Sequence, residues 1–355
     1  MQLTFKNKKI SSMLGILPEN EYFFDDEVDN YAFSRNQTMR MKKVMGYNKH
    51  RLAKESSTVS DFAVYGLKYM LENDWIKRDE IGALIVVSLC PDYFVPQISG
   101  IVQAECGLAE TVFCMDISQG CCAFIQGLME SFLLLNVMED KKVVLINGDV
   151  LSHKVSKRDR NDFPLSGDAT TITIIENSDE NEIYTEINTN GTDRNALIIP
   201  AGGFKRPSDN ETCVMIDQGD GNFRTLDNMH MDGTAVFNFV QREVPPMVTG
   251  ALSKLNMSVD DIDLFLFHQP NRFMLKKLAD KIGIPYEKIP MNLVENYGNP
   301  SGASIPMVTM FNYAKELTEN KYKVCFSAFG SGLSWGMIVM ELGMLDRCEM
   351  IESNL

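Results

Sequence analysis

Two adjacent cysteines, Cys121 and Cys122, stand between the turn-forming residues Ser-Gln-Gly and a long apolar stretch that is typical of a buried helix. A thiol at the N-terminal end of a helix lies in the positive field of the helix dipole, which stabilises the thiolate and makes it a better nucleophile. Successive side chains are turned by about 100° around a helix. We therefore predict that Cys121 is reactive and that Cys122 packs in the interior.

Further polar groups that could assist a thiol follow apolar or glycine-rich runs later in the chain. His268, one of only four histidines, comes directly after Leu-Phe-Leu-Phe. Asn299 lies in a turn of small residues that allow close approach of the backbone, and its amide can donate a hydrogen bond. The glycine-rich segment 329–336 could supply backbone N–H groups to an oxyanion. A nucleophile, a candidate base and such donors favour catalysis through a covalent intermediate.

The order of the secondary-structure patterns indicates how these distant residues could meet. Apolar runs typical of strands alternate with helical patterns, which indicates an α/β fold. The same order occurs twice, at a nearly constant spacing of about 180 residues, which predicts a duplicated domain. The matching strands are predicted at 83–88 and 263–268, and at 141–148 and 321–330. Because functional residues gather beyond the carboxyl ends of strands, two halves packed face to face would share one cleft.

The predicted halves are separated by a segment of different composition. An N-terminal half over residues 1–176 carries Cys121, and a C-terminal half over residues 226–355 carries His268 and Asn299. Residues 177–225 are rich in Asn, Asp, Gly and Thr without sustained periodicity. This composition predicts an irregular cap over the scaffold.

The composition excludes several classes of protein. The chain has 355 residues, 45% of them apolar and 23% charged, as in a globular protein with a full core. Its net charge of −14 argues against a nucleic-acid partner. The N-terminus lacks the apolar core of a signal peptide and no run approaches 18 apolar residues, so we expect a cytoplasmic protein without a membrane partner. The eight cysteines show no spacing that would predict a metal site.

Four separated motifs carry a resemblance to a known family. The cysteine lies in the pattern Asp-x-x-x-x-Cys-x-x-Phe, and the histidine in His-Gln-x-Asn. The asparagine lies in Gly-Asn-x-Ser-x-Ala-Ser, and the fourth motif is Gly-x-Gly-x-x-Trp-Gly. These motifs occupy residues 116–124, 268–271, 298–304 and 330–336. Together they resemble the β-ketoacyl-acyl-carrier-protein synthase III family. Two positions depart from its pattern, since Ala123 and Ser331 stand where the family has glycine.

The resemblance implies both a fold and a reaction. The fold is the thiolase fold, with two duplicated αβαβα halves in five layers, and the protein is expected to be a homodimer. Cys121 would take an acyl group from an acyl-coenzyme A or acyl carrier protein thioester, with the backbone N–H groups of Cys121 and Ser331 binding the oxyanion. His268 and Asn299 would then bind the carbonyl of malonyl-acyl carrier protein during decarboxylative condensation. No cofactor is expected, because phosphopantetheine carries the substrates.

The resemblance also implies substrate contacts in three regions: the turn that bounds the acyl pocket, the N-terminal region near coenzyme A, and the helix after the histidine motif. The residues concerned are Phe94 and Val95; Arg40; and Asn271, Arg272 and Lys276. The cationic side chains would meet the phosphopantetheine phosphate or the acidic carrier protein. A small residue such as Val95 would leave room for a longer acyl chain.

Two other functions could use the same residues. An acyltransferase would pass the acyl group from Cys121 to a hydroxyl or amine, with His268 as general base. A catalytically silent partner would only bind an active synthase or a carrier protein, although the presence of all three polar residues argues against it. Release of carbon dioxide from a malonyl thioester distinguishes a condensing enzyme from the acyltransferase.

Overall fold

The computed structural model describes residues 1–138, 140–219 and 221–355. The strands in these residues are β1 (Gln2–Pro18), β2 (Glu21–Phe23), β3 (Lys49–Arg51), β4 (Ile81–Val87), β5 (Phe113–Ile117), β6 (Lys142–Asp149), β7 (Ala169–Thr189), β8 (Leu197–Ile198), β9 (Ile216–Asp217), β10 (Phe223–Arg224), β11 (His230–Met231), β12 (Leu264–Phe267), β13 (Lys321–Gly330), β14 (Ser334–Gly343) and β15 (Arg347–Ser353). The α-helices are α1 (Phe24–Glu27), α2 (Arg35–Met41), α3 (Val59–Glu72), α4 (Ile98–Glu105), α5 (Ala123–Leu135), α6 (Gly233–Lys254), α7 (Arg272–Ile282), α8 (Leu293–Tyr297) and α9 (Ser304–Glu319).

One long strand, β7, belongs to both halves of the molecule. Its residues 169–175 pair antiparallel with β6, and its residues 184–189 pair antiparallel with β14. Strand β1 runs antiparallel beside both parts of β7, and β15 lies parallel to β1. The order across the sheet is β12-β13-β14-β7-β6-β4-β5. The two halves are therefore joined through continuous backbone hydrogen bonding.

The pairing pattern repeats, as the sequence predicted. In the first half β4 is parallel to β6, and β6 is antiparallel to β7; in the second half β12 is parallel to β13, and β13 is antiparallel to β14. The two predicted pairs of matching strands are confirmed as β4 with β12 and β6 with β13. Strand β5 has no counterpart at 283–292, where the chain forms a short 3-10 turn. Pro285 and Pro290 lack the N–H groups that a ladder strand needs there.

The helices divide the molecule into the five layers of the thiolase fold. Helices α3 and α4 pack with β4 and β6 on one outer face, and α6 and α7 pack with β12 to β14 on the other. Helices α5 and α9 lie between the two halves. Helix α5 is apolar around most of its circumference because it is buried from both sides, as its sequence Ala-Phe-Ile-Gln-Gly-Leu-Met predicts.

The segment between the halves is more ordered at its start than its composition indicates. Strand β7 crosses the predicted boundary at residue 176, so residues 177–189 are extended strand rather than irregular structure. Pairing with β1 holds this polar stretch in the sheet, because ladder hydrogen bonds are made by the backbone whatever the side chains are. Beyond it, the described residues of the cap form the short strands β8 to β10 and a 3-10 turn at Gly191–Ala196, and β11 follows the cap. Within the described residues, no helix combines the length and apolar character needed to span a membrane.

Candidate active site

A cavity of about 980 Å³ lies where the two halves and the cap meet. Cys121 from the first half lines it, and so do His268 and Asn299 from the second half. Leu197 and Arg224 contribute walls from the cap. The structure therefore brings together the three polar residues that we predicted to share a cleft.

Cys121 lies in the turn between β5 and α5, which a hydrogen bond from the Ala123 N–H to the Gly120 carbonyl oxygen closes at 2.7 Å. Burial raises the pKa of the Cys121 thiol to about 11, and the charge of Asp149 adds to the rise; the backbone N–H groups of Ser331 and of Cys121 itself oppose it. We expected the helix end to favour the thiolate. The pKa of Cys121 rises instead, which favours the thiol, because the loss of solvation outweighs the nearby hydrogen-bond donors.

Cys122 occupies the N-cap position of α5 and is fully buried. Its thiol lies 3.3 Å from the Ser334 carbonyl oxygen, to which it donates. Burial raises the pKa of Cys122 well above the ordinary thiol value. The prediction that Cys122 packs in the interior is confirmed.

His268 follows the buried strand β12 and keeps its imidazole neutral. Its Nδ1 lies 2.6 Å from the Ser304 hydroxyl oxygen, and its ring meets Phe329 edge-on at a centroid distance of 5.6 Å. Burial lowers the pKa of His268 to about 3, which the backbone of Ser301 only partly opposes. At neutral pH the ring is therefore uncharged and can donate a hydrogen bond from one nitrogen.

Asn299 is fixed by backbone hydrogen bonds on both sides. Its N–H donates to the Leu165 carbonyl oxygen at 2.7 Å, and its own carbonyl oxygen accepts from the Gly167 N–H at 3.3 Å. The side-chain Oδ1 accepts from the Ser301 N–H at 3.0 Å. The contact with Ser301 fixes the orientation of the amide, whose Nδ2 is its donor atom and can bond a group in the cavity.

Asp149 joins the end of β6 to the turn that carries Asn299. It is fully buried and accepts hydrogen bonds from the Leu89 N–H at 2.8 Å, the Ser88 hydroxyl at 3.1 Å and the Gly302 N–H at 3.3 Å. Burial raises the pKa of Asp149, and these donors oppose the rise. Its carboxyl group therefore connects the loop after β4 in the first half to the Gly302 turn in the second half.

Known proteins are similar to this chain in sequence and in architecture. Residues 115–191 match the family model for 3-oxoacyl-[acyl-carrier-protein] synthase III, and residues 252–342 match the model for its C-terminal part. The chain is 31% identical, over 96% of its length and 95% of the relative, to a putative 3-oxoacyl-[acyl-carrier-protein] synthase 3 from Campylobacter jejuni. The chain belongs to the 3-oxoacyl-[acyl-carrier-protein] synthase III family.

Two further synthase III relatives extend the match. The β-ketoacyl-[acyl-carrier-protein] synthase III of Streptococcus mutans is 31% identical over 83% of this chain and 88% of its own. The crystal structure of a 3-oxoacyl-(acyl-carrier protein) synthase from Burkholderia xenovorans superposes with a TM-score of 0.92 at 31% identity, covering 99% of both chains. The likeness thus extends over the whole fold and is not confined to the motifs.

The two departures from the synthase III pattern are accommodated locally. Ala123 fits because its neighbour is Gly302: a side-chain carbon at position 302 would lie only 2.6 Å from the Ala123 Cβ. In the glycine-rich turn the left-handed conformation falls on Gly332, with φ of 133°, and not on Ser331. Serine at position 331 therefore carries none of the backbone strain that only glycine would avoid.

Of the predicted substrate contacts in this synthase III chain, only Asn271 lines the cavity, where its Oδ1 also caps α7 by accepting from the Met274 N–H at 2.9 Å. The other predicted contacts lie outside the cavity of a single chain. Arg272 forms an ion pair with Glu295, and Arg40 and Lys276 are exposed on their helices.

The turn expected to bound the acyl pocket is on the surface of the single chain. Phe94 is 70% exposed and Val95 is 82% exposed. The Phe94 ring contacts Phe204 of the cap at a centroid distance of 4.9 Å. Phe94 and Val95 are therefore not part of the cavity that one chain forms.

Three further residues support the site. The sequence contained a signal for each of them, but we assigned them no role from the sequence. Ser301 and Ser304 are the two serines of the Gly-Asn-x-Ser-x-Ala-Ser motif, and they contact Asn299 and His268. Asp149 is the last residue of the buried strand β6, and strand ends are where the catalytic residues were sought. Recognising them as supports requires the contacts between halves, which have no local pattern.

Proposed function

We propose that the chain is a 3-oxoacyl-[acyl-carrier-protein] synthase that holds an acyl group on Cys121 and condenses it with malonyl-acyl carrier protein. One observation carries the proposal: a single cavity presents a thiol, two backbone N–H groups, a neutral imidazole and an amide N–H. A decarboxylating condensation needs a nucleophile in its first half and uncharged hydrogen-bond donors in its second half.

In the first half-reaction the Cys121 sulfur attacks the carbonyl carbon of an acyl thioester. Because its pKa is about 11, the thiol gives up its proton as the new bond forms, and the departing thiolate receives that proton. The bond between the acyl carbon and the carrier sulfur breaks. The backbone N–H groups of Cys121 and Ser331 face the Cys121 sulfur, so they are the proposed donors to the oxyanion.

In the second half-reaction the carbonyl oxygen of a malonyl thioester accepts hydrogen bonds from His268 Nε2 and Asn299 Nδ2. The required tautomer of His268 is the one in which the Ser304 hydroxyl donates to Nδ1. The bond to the carboxylate breaks, carbon dioxide leaves, and its electron pair forms an enolate. The donors bind the enolate oxygen more strongly than the carbonyl, which accelerates the step.

The enolate carbon then attacks the acyl group on Cys121. The carbon–sulfur bond to Cys121 breaks, the 3-oxoacyl product leaves on its carrier, and the Cys121 thiolate takes up a proton from solvent. No charged catalytic side chain is required in this sequence of steps. That agrees with a site in which burial keeps both the thiol and the imidazole neutral.

The alternative acyltransferase would require His268 to act as a general base. An imidazole with a pKa of about 3 is a weak base near neutral pH, whereas efficient general bases have pKa values close to the working pH. The same depressed pKa leaves hydrogen-bond donation intact. The state of His268 therefore favours condensation over simple acyl transfer.

The partners belong to the same proposal. We propose that acyl groups arrive on coenzyme A or acyl carrier protein, that no cofactor is required, and that the enzyme is a cytoplasmic homodimer. The exposed apolar side chains of Phe94 and Val95 support a second copy as the cover for this surface. Light scattering of the purified protein measures the assembly, and a monomer at micromolar concentration would contradict the dimer.

Intact-mass spectrometry combined with a carbon dioxide assay tests the reaction. A panel of acyl thioesters of increasing length is expected to add one acyl mass to the protein, and Cys121→Ala is expected to abolish that gain. His268→Ala is expected to keep the acyl mass while slowing carbon dioxide release from malonyl-acyl carrier protein by about 100-fold or more. A protein that loads acyl groups but releases no carbon dioxide would favour the acyltransferase, and one that does neither would favour a silent partner.

A further inference from the structure

A second buried histidine, His50 on β3, lies outside the cavity and forms a pair with Glu27. His50 is 2% exposed and Glu27 is 7% exposed. His50 Nε2 lies 2.9 Å from the Glu27 Oε1, and His50 Nδ1 lies 2.7 Å from the Ser166 carbonyl oxygen. None of the reaction steps described above uses this pair.

The partners of the His50 ring define its protons. A carbonyl oxygen can only accept, so Nδ1 donates to Ser166. On the other side, either Nε2 donates to the Glu27 carboxylate or a protonated Glu27 donates to Nε2. The pair therefore holds the Ser166 carbonyl oxygen at a set position, because Glu27 fixes the buried His50 ring from its other side.

The Ser166 carbonyl is part of the segment that holds Asn299. The Leu165 carbonyl oxygen accepts from the Asn299 N–H at 2.7 Å, and the Gly167 N–H donates to the Asn299 carbonyl oxygen at 3.3 Å. The two backbones are in such close contact that a side-chain carbon at Gly298 would lie 2.3 Å from the Ser166 carbonyl oxygen. A shift of Ser166 must therefore shift Gly298 and Asn299 with it.

We propose that His50 and Glu27 are positioning residues that hold Asn299 in place for decarboxylation. The inference rests on the proposed function, since Asn299 binds the malonyl carbonyl there. A positioning role for His50 and Glu27 differs from a general stabilising role in its effect on the two half-reactions. Acyl loading of Cys121 does not use Asn299, so loss of the pair affects the second half-reaction and spares the first.

Two substitutions of His50 separate the two hydrogen bonds of its ring. The amide nitrogen of asparagine reaches about as far as Nδ1, and that of glutamine reaches about as far as Nε2. His50→Asn is therefore expected to keep the bond to Ser166 and most of the decarboxylation rate. His50→Gln is expected to slow carbon dioxide release by about 10-fold to 100-fold, because small displacements of a binding group cost that much. Acyl loading of Cys121 is expected to stay within about 2-fold in both variants.

Glu27 tests the same link from its other end. Glu27→Gln can donate to Nε2 of a neutral His50, so decarboxylation is expected to remain near the wild-type rate. Glu27→Ala leaves Nε2 without its partner and is expected to behave like His50→Gln. His230→Gln is the matched control, since a ring nitrogen of His230 also bonds a backbone carbonyl, that of Thr225 at 2.9 Å, and no hydrogen bond links His230 to Ser166 or Asn299.

Hydrogen exchange provides a readout that does not depend on activity. Peptides covering residues 163–170 and 296–303 are expected to exchange faster in His50→Gln and Glu27→Ala than in the wild type or His230→Gln. Equal losses of acyl loading and decarboxylation, or unchanged exchange in both peptides, would overturn the positioning role. Faster exchange in a protein whose wild type releases no carbon dioxide would support the link to Asn299 and reject the proposed reaction instead.

Discussion

Gly330 lies against Cys121 so closely that no side chain fits between them. A side-chain carbon at position 330 would be 2.5 Å from the Cys121 sulfur and 2.6 Å from its Cβ. Gly330 ends β13 in the second half, whereas Cys121 follows β5 in the first half. The nucleophile of one half is thus covered by the backbone of the other, which brings the Ser331 N–H to the sulfur.

Gly330→Ala is expected to reduce acyl loading of Cys121 by about 100-fold or more, because the new methyl group occupies the position of the sulfur and displaces it. The measurement is the rate of acyl mass gain on the protein. Gly250→Ala in α6 is the matched control, since a side-chain carbon there meets no atom within 4 Å. A Gly330→Ala variant that loads at the wild-type rate would show that the sulfur has room to move.

The raised pKa of Cys121 predicts how its alkylation depends on pH. Below a pKa of about 11 the thiolate fraction rises about tenfold for each pH unit, and only the thiolate reacts. The rate of Cys121 modification by iodoacetamide is therefore expected to rise steadily from pH 7 to pH 10. Peptide mass mapping measures it, with Cys121→Ala as the control for other cysteines. A plateau below pH 8 would mean that Cys121 is already ionised there and would contradict the raised pKa.

The adjacent cysteines are expected to respond in opposite ways to alanine substitution. Cys121→Ala is expected to abolish acyl loading and to leave the free energy of unfolding within about 0.5 kcal/mol of the wild type. Cys122→Ala removes a fully buried sulfur and its bond to Ser334, which is expected to cost about 1 kcal/mol in a urea titration. Cys122→Ala is expected to keep acyl loading, and loss of loading in a folded variant would contradict its packing role.

Ala123 and Gly302 are expected to be energetically coupled. A side-chain carbon at position 302 would lie 2.6 Å from the Ala123 Cβ and 3.1 Å from the Gly120 carbonyl oxygen. Gly302→Ala alone is expected to destabilise the fold by about 2 kcal/mol, as overpacking does. Adding Ala123→Gly removes the closer contact and is expected to restore at least about 1 kcal/mol. Additive effects in the double-mutant cycle would show that the two positions do not touch.

The candidate site was predictable from local patterns to a large extent. Cys121, His268 and Asn299 each follow an element whose apolar pattern is visible in the chain, and the duplication predicted their convergence on one cleft. The acyl-pocket turn was not predictable in this way. Phe94 and Val95 lie on the surface of one chain beside Phe204 of the cap, and this placement has no local pattern. The strand character of residues 177–189 was also missed, because it comes from pairing with β1 at the far end of the chain.

The sequence by itself determined the family, the order of the elements and the identity of the polar residues at the ends of strands, because these depend on residue types at short spacing. Only the tertiary structure decided the protonation states of these polar residues. Burial makes Cys121 a thiol with a raised pKa and His268 a neutral donor, and that burial comes from residues far away in the chain. The link from Glu27 through His50 and Ser166 to Asn299 likewise joins four separate segments. Solvation and hydrogen-bond partners belong to the folded environment, and no local pattern of residues encodes them.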